Sequence, residues 1–159
     1  MLDEMRRGDW APRSVHRNAR RVTEAMRAVE HRTGKVASDR DIANSMDVSL
    51  KEYYAMLTDA STCRLVSYEE VNDGDDPSIL PHVEAGDHGA EREELIHNLV
   101  DAIAKLPERE RLVMALYYDE ELNLKEIGAV LGVSESRISQ ILSQATLRVR
   151  SKVNSWMNE

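Results

Sequence analysis

Apolar residues recur at intervals of three and four through most of the chain, and that period predicts helices. Val15, Ala19, Val22, Met26 and Val29 fall on one side of a helix from Pro12 to about His31, with the proline at an N-terminal position it tolerates. Thr33-Gly34-Lys35 ends it. Two shorter helices follow, about Asp39 to Ser45 and Leu50 to Asp59. The second opens with Ser49-Leu50-Lys51-Glu52, a capping box in which serine and glutamate satisfy free N–H groups reciprocally. Between Val71 and Gly89 the pattern lapses into VNDGDDPSILPHVEAGDHG, whose glycines, prolines and acids predict a linker rather than a packed element. The helical period returns in Leu95, Leu99, Ile103 and Leu106, resumes after Pro107 in Leu112, Val113 and Leu116, and runs on to about Trp156.

Within the last stretch, LKEIGAVLGVSESRISQIL (Leu124 to Leu142) reads as two helices meeting at a corner. Ile127, Val130 and Leu131 form the inner side of the first, and Gly128 is small where the second must cross closely. Gly132 supplies a left-handed turn, Val133 plugs the corner, and Ser134 caps the next helix through its hydroxyl. Ile138, Ile141, Leu142 and Ala145 then face inward. Glu135, Ser136, Arg137, Ser139, Gln140, Ser143 and Gln144 face outward, short polar groups suited to base edges in a major groove. Any helical hairpin uses a glycine turn and a polar exterior, so one match alone leaves a plain hairpin open. The chain, however, holds a second copy. IANSMDVSLKEYYAML (Ile42 to Leu57) aligns with IGAVLGVSESRISQIL, setting Ala43, Asp47, Val48, Ser49, Tyr53 and Leu57 on Gly128, Gly132, Val133, Ser134, Ile138 and Leu142. Asp47 replaces glycine but tolerates the same turn. The expected fold is all-α: two small helical domains with helix-turn-helix motifs, joined by an acidic flexible linker.

The net charge of -8 seems to oppose nucleic-acid binding, but placement matters more than the sum. Glu69 to Glu94 holds ten acids against Arg92 alone, which leaves the N-terminal helix strongly basic. There Arg13, Arg17, Arg20 and Arg27 fall opposite the apolar side, interrupted by Glu24. Such a stripe is either an ordinary solvated face or a phosphate-contacting rail. Arg148, Arg150 and Lys152 are likewise either a second phosphate contact or favourable cations near a helix end.

The single Cys63 excludes an internal disulfide or a multi-thiolate metal site, and no apolar run is long enough to cross a bilayer, so a cytoplasmic location and no membrane partner are expected. No phosphate-binding glycine loop, nucleophile elbow or zinc-binding helix motif is present, and the five histidines lack metal-ligand spacing. No catalysis, cofactor or metal is therefore expected. Met1 to Arg7 lacks the apolar centre of a secretion signal and reads as the tail of a helix, as in a piece of a longer protein.

LDEMRRGDWAPRSVHRNAR at the start, LPERERLVMALYYDEELNLKEIGAVLGVSESRISQI near the end and the acidic tether between them resemble the flagellar (motility) sigma factors of bacteria. That resemblance implies the last helix of sigma domain two at residues 1–8, domain three at 9–68, a linker at 69–90 and domain four at 91–159. Domain three would meet promoter DNA upstream of the minus-10 element through Arg6, Arg13, His16, Arg17 and Arg20, with His16 where arginine is usual. Domain four would read the minus-35 element through Ser134, Glu135, Ser136, Arg137, Ser139 and Gln140, with Lys125 on a phosphate. The implied partners are promoter DNA, core RNA polymerase at its beta flap and RNA exit path, and an anti-sigma factor of the FlgM type. Two other functions fit the same residues: a stand-alone helix-turn-helix regulator, and a truncated interaction module that binds polymerase or an anti-sigma protein without initiating transcription.

Overall fold

The computed structural model describes residues 13–70 and 89–157. Seven helices form among the described residues, which contain no strand. The chain divides into two units, Met1–Asp76 and Pro77–Glu159.

In the first unit α1 (Arg13–Thr33), α2 (Asp39–Ser45) and α3 (Leu50–Glu70) pack pairwise against one another. Val22, Ala25, Met26 and Val29 from α1, Ile42 and Ala43 from α2, and Tyr53 and Leu57 from α3 are buried. Each large apolar side chain among them contributes about 1.5–3 kcal/mol, and each alanine about 1 kcal/mol or less. Pro12, the helix tail expected at residues 1–8 and residues 71–88 of the acidic linker lie outside the described residues, while the linker's expected ends, Glu69-Glu70 and Gly89-Ala90, are helical. The last helix runs past the expected end at Asp59 to Glu70, since nothing from Ala60 to Glu70 is a glycine or proline that would stop it.

In the second unit α4 (Gly89–Ala104), α5 (Glu108–Tyr118) and α6 (Leu124–Leu131) all pack on α7 (Glu135–Met157), which makes the longest helix the central one. One core joins Val113, Leu124, Ile127, Ile138, Ile141 and Leu142. A second joins Ala102, Leu106, Ala145, Val149 and Val153 further along α7. Met114 packs against both. Two expected inner residues turn outward: Val130 is 63% exposed and Leu112 is 44% exposed. On α6 the inner side is instead Leu124, Ile127, Gly128 and, half-buried, Leu131, an apolar face turned by about 50° from the expected one, roughly half of one residue's step around the helix.

Both corners form, and they share one design. In the first, Asp47 takes φ 56° and the Val48 amide donates to the Ala43 carbonyl at 3.1 Å. In the second, Gly132 takes φ 70° and the Val133 amide donates to the Gly128 carbonyl at 3.0 Å. The aligned pairs Ala43 and Gly128, Tyr53 and Ile138, and Leu57 and Leu142 are all buried.

Candidate nucleic-acid interface

On α1, the buried apolar stripe leaves Arg13, His16, Arg17, Arg20, Arg21 and Arg27 exposed. At 1.5 Å rise per residue, the rail from Arg13 to Arg27 is about 21 Å long. Glu24, also exposed, is the acid within it. Arg6 lies outside the described residues.

On α7, the capping chemistry sets the exposed end. The Ser134 hydroxyl accepts the Arg137 amide at 3.2 Å, as a serine N-cap does. Glu135 and Ser136 stand exposed in the first turn, where a carboxylate suits the positive end of the helix. Arg137 is half-buried, and its Nη1 donates to Gln140 Oε1 at 3.5 Å, so these two side chains are held together. Across the corner, Lys125 is exposed in the first turn of α6. That turn is fixed by Asn123 and Glu126, whose side chains cap each other's amides at 2.9 and 2.8 Å.

Three positions expected to face outward do not. Ser139 is 9% exposed, and Ser143 and Gln144 are buried more deeply. A helix packed by three neighbours buries a wider arc than the one-sided stripe assumed from periodicity. Gln144 has a definite partner, donating from Nε2 to Glu110 Oε1 at 3.1 Å. Arg148 is equally internal: 1% exposed, its Nε donates to Glu110 Oε2 at 3.1 Å and its Nη2 to Oε1 at 3.3 Å. It is therefore no phosphate contact. Arg150 is exposed and Lys152 half-buried.

The Glu110 network was not foreseen from the sequence. One signal for it is present there: Arg137, Gln140, Gln144 and Arg148 recur at three and four residues, a polar stripe that continues past the exposed end into positions where α7 is otherwise apolar.

Residues 17–92 match the family model for sigma-70 region 3, and residues 102–151 that for sigma-70 region 4. The chain is 55% identical over 161 residues to the RNA polymerase sigma factor FliA of Pseudomonas aeruginosa, a match covering 98% of this chain and 65% of that protein. It is 46% identical over 160 residues to the same-named factor of Yersinia enterocolitica, covering 98% and 70%. The RNA polymerase sigma-D factor of Bacillus subtilis is 32% identical over 158 residues, covering 95% and 62%. Among solved structures, the cocrystal structure of a flagellar sigma/anti-sigma complex, Sigma-28/FlgM, aligns at 31% identity with a TM-score of 0.49, covering 96% of this chain and 65% of the other. The chain thus spans about two thirds of the length of these relatives.

Proposed function

We propose that this chain, which belongs to the sigma-70 family of RNA polymerase sigma factors, directs core RNA polymerase to flagellar and motility promoters. Residues 9–68 act as sigma domain three, residues 69–90 as the acidic linker through the RNA exit path, and residues 91–159 as domain four on the beta flap. The observation that carries the reading is the α6–α7 corner: within a region-4 match it presents Glu135, Ser136, Arg137 and Gln140 at the start of a well-capped helix. Side chains at that end of a helix-turn-helix reach base edges when the helix enters a major groove. Arg137 and Gln140 make the base contacts, Lys125 a phosphate contact. The α1 rail of Arg13, His16, Arg17 and Arg20 takes phosphates upstream of the minus-10 element, a sequence-independent contact that releases counterions. Ser139, being buried, contributes to how α7 packs rather than to base reading. An anti-sigma factor of the FlgM type is the second protein partner. The chain works in the cytoplasm, where polymerase is, by placement and without catalysis of its own.

Capture of the chain by purified core RNA polymerase tests this. Stoichiometric capture, with weak DNA binding by the chain alone, is the expected result. No capture, together with tight and sequence-selective DNA binding by the chain alone, would replace it with an independent regulator.

A further inference from the structure

Glu110, in the first turn of α5, is 6% exposed, and its carboxylate accepts hydrogen bonds from two residues of α7, Gln144 and Arg148. Those two stand one turn apart on the face that also carries Arg137 and Gln140, since positions 137, 140, 144 and 148 lie within about 80° of one another around a helix. One end of this polar stripe, Arg137 and Gln140, is half-buried and lies where the helix starts; the other is sealed inside and clamped to a neighbouring helix. A buried ion pair adds little net stability, because desolvation offsets the attraction, and apolar pairs of similar volume often replace one without loss. What a bidentate fork does add is fixed geometry.

We propose that Glu110 is a positioning residue for promoter reading. Gripping Gln144 and Arg148, it fixes the rotation of α7 about its own axis and so decides which base edges Arg137 and Gln140 meet. The tolerance is narrow: side-chain atoms about 5–6 Å from the axis move about 2 Å when a helix turns by 20°. That displacement breaks a bidentate arginine–guanine contact. This role rests on the DNA-reading function proposed above.

The test uses two variants, Glu110→Gln and the double variant Glu110→Met/Arg148→Met. Each is assembled with core polymerase on duplexes carrying a randomised minus-35 hexamer beside a fixed minus-10 region, and the bound pool is sequenced. Thermal unfolding is followed in parallel. The double variant, in which removal of the ion pair is offset by the loss of the Gln144 acceptor, is expected to stay folded near the parent's unfolding temperature yet to lose about tenfold of its preference at the positions that the parent reads most strongly. A role confined to stability predicts the opposite: where stability is kept, preference is kept. Unchanged preference in either folded variant overturns the positioning role alone. Failure of both variants to fold makes the pair a folding requirement and overturns it too. Absence of any preference in the parent overturns the DNA-reading function, and this inference with it.

Discussion

Arg137 occupies in the second corner the place that Glu52 holds in the first, three residues past the capping serine. Glu52 closes the box: its carboxylate accepts the Ser49 amide at 2.8 Å while the Ser49 hydroxyl accepts the Glu52 amide at 3.2 Å. In the second corner the Ser134 hydroxyl still accepts the amide at 3.2 Å, but an arginine has no acceptor to return and places a cation at the positive end of α7. A first turn that breaks its own rule points to a function that needs the side chain. Arg137→Glu, which restores the box, is expected to stabilise the second unit by about 0.5–1 kcal/mol while abolishing base preference. Thermal unfolding and duplex selection measure the two effects.

Gly128 and Ala43 are aligned, yet the corners do not treat them alike. A Cβ on Gly128 would lie 2.7 Å from the Val133 carbonyl oxygen, a backbone atom held in the turn. Gly128→Ala should therefore cost about 1–3 kcal/mol by overpacking, read as a lowered denaturant midpoint with an unchanged slope. Loss of minus-35 recognition should accompany it, because the strain is relieved by opening the corner that orients α7.

Asp47 holds φ 56° where its counterpart Gly132 holds φ 70°. The left-handed conformation is strained for any side chain. Asp47→Gly should be neutral or stabilising by up to about 1 kcal/mol, and Gly132→Ala destabilising by about 1–2 kcal/mol. Denaturant titration of the two variants checks the pair of opposite signs.

Acid acts on the caps. The Ser49 amide, and after it the Ser49 hydroxyl, hold the Glu52 carboxyl below its ordinary value of 4.5, and the Ser38 hydroxyl and amide do the same for Asp41 against 3.8. A carboxylate whose pKa is lower folded than unfolded contributes stability that is complete above the unfolded value and is lost as pH falls through the folded one. The first unit should accordingly lose stability as pH drops below about 4.5, and Glu52→Gln should flatten that dependence while lowering stability at neutral pH. Unfolding temperatures across pH 3 to 7 show it.

The helices were legible because the apolar period is long and the stop signals are local. Gly132, Ser134 and the Ser49–Glu52 box act within four residues of themselves, so their geometry follows from sequence alone. What sequence did not reveal depends on neighbours. Periodicity assigns one inner face per helix, but α7 is packed by α4, α5 and α6, and Ser139, Ser143 and Gln144 are buried in consequence. Arg148 reads from sequence as either a phosphate contact or a helix-end cation, because its partner Glu110 lies 38 residues away. Val130 misled for a simpler reason: on the eight-residue α6 a small error in phase moves a side chain from inside to outside.

The measurement that bears most directly on the account compares Arg137→Ala with Arg17→Ala, each bound with core RNA polymerase to promoter DNA and to a minus-35-scrambled duplex across a salt titration. Arg137→Ala is expected to lose about 1–3 kcal/mol on the promoter and little on the scrambled duplex. Arg17→Ala should weaken both alike and reduce the salt slope by about 1. Equal losses from both variants on both duplexes would contradict a chain in which α7 reads bases and α1 holds phosphates.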